Sequence, residues 1–313
     1  MAAYIPLQTN SDTPPSTRAV KNVAVIINPV ACPSGIEARK AEIVPALAQS
    51  GWNVQTFETC APEGAFPEAR SAVEAGVDLV IVVGGDGTLM EAMNALIGTP
   101  IPVAIIPSGT GNLLALNLGI PTDTPSALAI ALNGAPKPID LVRVNDGQKY
   151  FAIMGGVGYD ARIMEETDRR SKQKFGRLAY MWTALKNLGG RRFTTTLTLD
   201  GDRRIRQIAK SVLFANMGEI MPGVKAFPDA RPDDGLIEIG VLKAESVGDF
   251  LRLFLRLLIG RPQDDPAFDL YHAKRLQLKL GRAEPLELDG DSLGATRQLD
   301  LEVAPGAISV MIP

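Results

Sequence analysis

Short apolar runs and helix-spaced apolar stripes alternate along the first half of the chain. Residues 23–27 (Val-Ala-Val-Ile-Ile) are continuously apolar and mostly β-branched, as a parallel strand buried on both faces requires. Residues 36–49 carry helix spacing, 52–57 alternate like a strand, 66–74 suit a short helix, and 78–83 form a second buried run. Leu89, Ala92, Met93, Leu96 and Ile97 then recur with the three- and four-residue spacing of one helix face. Residues 102–106 predict another strand. This alternation predicts a parallel sheet covered by helices.

After about residue 140 the pattern changes. Residues 150–154, 194–199, 208–216, 236–242 and 276–280 read as strands. Four turn pairs, Asp146-Gly147, Asp200-Gly201, Asp234-Gly235 and Asp289-Gly290, predict hairpins between them. Helices are expected only near 176–188 and 247–259. The predicted class is α/β plus β. Residues 1–20 are a Pro/Ser/Thr-rich tail, 21–140 a parallel α/β nucleotide-binding domain, and 141–313 an antiparallel β-rich domain whose final strand is a candidate to return to the first.

Composition narrows the function. A chain of 313 residues suits about two domains. With 46% apolar and 21% charged residues, it is not mainly disordered. Lys+Arg number 32 against 35 Asp+Glu, a net charge of −3, so the basic footprint of a nucleic-acid binder is missing. Two cysteines, Cys32 and Cys60, make no disulfide scaffold and suit a reducing compartment. The greasiest stretch, 250–259, is too short to span a bilayer and is broken by Arg252 and Arg256. With no apolar signal core at the start, the expected location is cytoplasmic, with peripheral contact to a membrane. One histidine, His272, gives little support to a Ser-His-Asp triad or a zinc site.

The chemistry concentrates in two glycine-rich turns. Gly84-Gly85-Asp86-Gly87-Thr88 follows a buried run and opens the amphipathic helix. Glycines let main-chain N–H groups approach a ligand, and a helix N-terminus favours an anion. Asp86 could orient a magnesium ion or order the site, and Thr88 could cap the helix or bond a phosphate oxygen. One strand–helix step later comes Pro107-Ser108-Gly109-Thr110-Gly111-Asn112. In a parallel sheet both turns lie at carboxyl ends of strands, where such sheets bind ligands. A plain capped turn is the alternative for either; the pair points to a nucleotide. No Gly-Lys-Ser/Thr motif is present. Gly156-Val157-Gly158-Tyr159-Asp160-Ala161 fits a dinucleotide fingerprint in form only, and a packing role suits it better.

The first turn, with Glu91 and Asn94 in the helix after it, resembles the GGDGT signature of diacylglycerol kinase catalytic domains. The second is similar to that family's P-x-GTGN segment. The resemblance extends through Asn28-Pro29 with Gly35, residues 156–161, Phe175-Gly176-Arg177-Leu178-Ala179-Tyr180, Asp233-Asp234-Gly235-Leu236, Leu288-Asp289-Gly290 and Pro305-Gly306-Ala307. Bacterial soluble lipid kinases and sphingosine kinases share this order, whereas GGDGT alone also resembles NAD kinases and phosphofructokinases. The resemblance implies a β-sandwich-like second domain and ATP in the cleft between the two. It implies nucleotide contacts from Gly85, Asp86, Gly87, Thr88, Leu89, Met90, Glu91 and Thr110, and from Thr59 in the loop after the second predicted strand. With Gly84, Gly109, Gly111 and Asn112, read from the two turns themselves, these would cradle the phosphates. It also implies a Mg2+ site built on Arg231, Asp234 and Leu236 by two main-chain carbonyls and one carboxylate. The family usually reads Leu-Asp-Gly-Glu where this chain has Leu288-Asp289-Gly290-Asp291, so Asp291 stands one methylene short as proton acceptor.

The activity implied is transfer of the γ-phosphoryl of ATP to a hydroxyl of a diacylglycerol- or sphingoid-type lipid at a membrane surface, with Asp291 and Asp86 as catalytic residues. An NAD kinase-like phosphotransferase and a non-catalytic nucleotide- or lipid-binding protein are the alternatives. The basic run at 168–174 with Arg177, and the helix at 249–259, are the candidate membrane contacts. The oligomeric state is open, a homodimer included.

Overall fold

In a computed structural model, residues 21–32, 35–60, 64–147, 149–158 and 191–313 are described. The tail, the helix expected at 176–188, the basic run at 168–177 and Tyr159, Asp160 and Ala161 lie outside them.

β1 (Lys21–Ile27) buries residues 23–27 completely, as the continuous apolar run requires. It is followed by α1 (Ile36–Gln49), β2 (Trp52–Glu58), α2 (Phe66–Glu74), β3 (Leu79–Gly84), α3 (Asp86–Leu96), β4 (Val103–Pro107), α4 (Leu113–Asn117) and α5 (Thr124–Asn133). The strands lie in the order β2-β1-β3-β4, all parallel. Their carboxyl ends therefore share one edge, carrying Asn28, Thr59, residues 85–88 and residues 108–112.

The second half contains β5 (Ala135–Val144), β6 (Lys149–Phe151), β7 (Met154–Val157), β8 (Phe193–Leu199), β9 (Arg203–Ala209), β10 (Ser211–Ala215), β11 (Glu219–Met221), β12 (Val224–Lys225), β13 (Ile237–Leu242), α6 (Val247–Leu258), β14 (Phe268–Ala273), β15 (Arg275–Leu288) and β16 (Asp291–Ile312). Except at β4, where β16 pairs in parallel, the pairing here is antiparallel. A core containing Phe151, Phe214, Leu276 and Leu301 fills the sandwich interior. α6 covers the outside of one layer, where Leu253 meets Phe227 and Phe268. β16 joins the halves: Val310 pairs with Val103 of β4, while other parts of the strand pair with β5 and β15.

Three of the expected hairpins form. Asp146-Gly147, Asp200-Gly201 and Asp289-Gly290 all have positive φ at both residues, as tight two-residue turns demand. Asp234-Gly235 instead lies in the loop before β13, pinned where Asp140 accepts the Gly235 amide (2.8 Å). The run at 150–154 is not one strand: residues 152 and 153 leave the ladder to donate to a side chain described below. The run at 208–216 divides at Lys210 into β9 and β10. β5 escapes the sequence pattern because of Pro136 and Pro138. Both sit where β5 has a partner on one side only, a position that tolerates proline.

Candidate functional site

The two glycine turns touch backbone to backbone. A Cβ on Gly109 would lie 2.6 Å from the Gly85 Cα, and one on Gly84 would lie 2.7 Å from the Thr88 Cβ. Only glycine allows these approaches. The Ser108 amide donates to the Gly84 carbonyl (2.9 Å). Asp86 closes the junction: its carboxylate accepts the amides of Leu113 and Leu114, both at 3.0 Å. It thereby caps α4 from the neighbouring turn. Asp86 thus has a structural partner in α4 that the sequence reading did not give it.

Asn112, in the left-handed region at φ 48°, exchanges two hydrogen bonds with the Gly109 backbone (2.8 and 2.9 Å). The amides of Gly109, Leu113 and Leu114 are thus occupied. Among the described residues, those of residues 85–88 and of Thr110 and Gly111 have no partner. Gly85 is the N-cap of α3 and supplies no side-chain cap, so the positive end of an 11-residue helix is open beside the exposed Gly87, Thr110 and Gly111. The Ser108 Oγ is buried without a partner in the same place. Open amides and an orphaned hydroxyl fit an anionic phosphate chain.

Thr88 accepts from the Asn28 side chain (2.7 Å), which ties β1 to the first turn. Glu91 accepts the Ala65 amide (2.8 Å), and a Cβ on Gly64 would overlap its carboxylate. Glu91 therefore anchors the loop after Thr59. Leu89 does not belong with the nucleotide contacts: it is fully buried in the core and its amide donates to the Gly85 carbonyl. Met90 is partly buried against the same core.

The Leu288–Asp291 turn reaches this junction from the other half. Asp289 accepts the amides of Ala152 (2.8 Å), Ile153 and Met154 (both 3.0 Å). Ala152 and Ile153 belong to the core of the parallel-sheet half, so the turn is fastened to it. Burial pushes the Asp289 carboxyl up to about 6 against those three donors, and the negative charge of Asp86 adds to the rise. Asp291, two residues on, is exposed. Glu287 accepts the Gly290 amide across the turn; burial, with Asp289 and Asp291 adding, raises it to about 7.

Hydrogen bonds extend from here to the loop holding Arg231, Asp234 and Leu236. The Asn216 side chain donates to the carbonyls of Ala152 (3.0 Å) and Asp140 (2.8 Å). Asp140 in turn accepts Gly235 and Gly306 (both 2.8 Å). One oxygen of Asp234 accepts the Leu236 amide (3.0 Å). Burial and the nearby Asp140 and Asp233 raise the Asp234 carboxyl, which a cation would offset. Among the described residues no cluster of three His, Cys, Asp or Glu side chains could hold a metal, so a cation here would depend on main-chain carbonyls. Asp140 and Asp289 are the hubs that sequence reasoning missed. Asp140 is a lone acid between Ile139 and Leu141, with no local signal; Asp289 read as a turn residue.

Gly158 has the expected packing role: a Cβ there would meet the Phe193 ring at 2.4 Å. His272 is exposed and lies opposite Glu238. On α6, Arg252 reaches the buried Asp265 (2.9 Å), while Leu251, Leu255 and Leu258 are exposed. No helix among the described residues is long and apolar enough to cross a membrane.

Comparison with known proteins agrees with this architecture. Residues 22–144 match the diacylglycerol kinase catalytic domain, and residues 154–312 match the YegS C-terminal NAD kinase beta sandwich-like domain. A diacylglycerol kinase of Mycobacterium tuberculosis is 31% identical over 248 residues, 78% of this chain and 79% of that protein. A probable lipid kinase YegS-like of Shewanella frigidimarina is 31% identical over 288 residues, 90% of each. A crystal structure of a putative diacylglycerol kinase from Bacillus anthracis superposes with a TM-score of 0.80 at 24% identity, covering 96% of this chain and 98% of that one.

Proposed function

The chain belongs to the diacylglycerol kinase catalytic-domain family of lipid kinases, and from that premise we propose that it transfers the γ-phosphoryl group of ATP to a hydroxyl of a diacylglycerol- or sphingoid-type lipid. The observation that carries this reading is the pair of turns packed glycine to glycine, with open amides at residues 85–88, 110 and 111 and the unpartnered Ser108 hydroxyl between them. These donors suit a polyphosphate.

In this reading residues 21–140 bind nucleotide and 141–313 bind lipid. Asp86 is a positioning residue: it locks α4 onto the first turn and so fixes the spacing of both amide sets. Asp234, with the carbonyls of Arg231 and Leu236, would hold Mg2+, which supplies neutralising charge to the phosphates when bound. Asp291, exposed beside the anchored Asp289, accepts the proton of the lipid hydroxyl. Asp289 holds the turn in place through its three amides.

The test is transfer of radiolabel from ATP to a panel of diacylglycerols and sphingoid bases, with NAD as a soluble acceptor alongside. Lipid labelling that drops about 10²–10⁴-fold in Asp291→Ala, at unchanged melting temperature, is expected. Labelling of NAD alone, or nucleotide binding without any turnover, refutes the proposal.

A further inference from the structure

We propose that the outer face of β8, β9 and β15, where Arg204, Arg206, Ile208 and Lys279 are exposed and no described helix packs, docks the protein onto an anionic phospholipid surface. The inference rests on the reading of a membrane-borne acceptor. The pairing registers build this face. In β9, Ile205 packs on the sandwich core and Arg203 lies over the Tyr271 ring (5.6 Å), so Arg204, Arg206 and Ile208 point outward. In β8, Leu197 and Leu199 are buried, which turns Thr196 and Thr198 outward; in β15, Leu276 and Leu278 do the same for Lys279.

Arg206, Thr196 and Lys279 stand in one row across the three strands, and Arg204 pairs with Thr198 in the next. Strand spacing puts Arg206 about 10 Å from Lys279, and Arg204 about 7 Å further along. Farther across the same face charge is cancelled: Arg275 pairs with Asp300 (2.7 Å) and Arg143 with Glu302 (2.5 Å). Among the described residues, Arg204, Arg206 and Lys279 have no acidic partner. Three exposed cations, with hydroxyl donors between them and an exposed Ile208 beside them, are thus concentrated on a sheet face of a chain whose net charge is −3. Complementary charge identifies the partner as a surface of phosphate headgroups. The opposite outer face is the one covered by α6.

The face lies roughly 30 Å along β15 from the Leu288–Asp291 turn, so its side chains take no part in the reaction. The experiment is sedimentation with vesicles of phosphatidylcholine containing about a quarter phosphatidylglycerol, against phosphatidylcholine alone. The wild type should bind the anionic vesicles selectively, and less so as salt rises. Each cation held at such a surface strengthens binding about fivefold, so Arg204→Gln/Arg206→Gln/Lys279→Gln should bind about a hundredfold more weakly. Its melting temperature and its turnover of a short-chain, water-dispersed lipid should not change. Wild-type vesicle binding by the triple variant overturns the inference. So does loss of binding in Leu251→Ser/Leu255→Ser on α6 instead, or a preference for duplex DNA over vesicles. Sedimentation needs no turnover: vesicle binding without any lipid phosphorylation refutes the kinase reading and leaves the docking face standing.

Discussion

Replacing Asp86 with alanine separates a scaffold role from a chemical one. The side chain accepts two main-chain amides at 3.0 Å, and both belong to the first turn of α4. Each is a hydrogen bond to a charged acceptor, worth about 1.5 kcal/mol or more, and its loss leaves a part-buried donor unsatisfied. The two together give a cost of about 3 kcal/mol. For 313 residues, unfolding entropy near the midpoint is about 0.7 kcal/mol per degree, so the melting temperature should fall by about 4–5 °C. The fall should be present with neither nucleotide nor metal. The assay is thermal unfolding of the protein alone, followed by a nucleotide titration, in which affinity should weaken because the two amide sets lose their fixed spacing. An unchanged melting temperature combined with abolished turnover would refute the reasoning and assign Asp86 to the reacting groups.

Other substitutions examine the same geometry. Gly109→Ala forces a Cβ to 2.6 Å from the Gly85 Cα and should lower both the melting temperature and nucleotide affinity, the latter at least about tenfold. Gly87→Ala, with open space around it, should leave unfolding unchanged in the same scan. Asp291→Glu restores the longer reach and should raise kcat without altering thermal stability. The carboxyls of Glu287 and Asp289 are raised by burial to about 7 and about 6, so the folded state holds protons more tightly than the unfolded chain. Their contribution to stability is full below about pH 4 and is lost as pH rises through about 6–7. Glu287→Gln should flatten the upper part of that slope in a pH series of melting curves.

Much of this was legible in the residues. The inner parallel strands β1, β3 and β4 followed from continuous apolar runs, because a strand covered on both faces has no polar side to show, and β2 from its alternation. The glycine turns marked themselves, since three glycines between a buried strand and an amphipathic helix exceed what a plain turn needs. Asp-Gly pairs located three hairpins for the same local reason. The failures are nonlocal. Pro136 and Pro138 hid β5, whose vacant edge depends on which strands pair with it. Leu89 sits inside a motif yet faces the core, because helix phase, not motif membership, directs a side chain.

The amino-acid order alone determined the periodicities, the two turns and the family signature, all of which depend on neighbours within a few positions. Folding decided the contacts between distant segments: Asp86 capping a helix that starts 27 residues later, Asp289 collecting amides 135–137 residues earlier, and three cations meeting on one sheet face. Each joins groups far apart in the chain, and strand pairing and packing, rather than local conformational preference, set the distance between them.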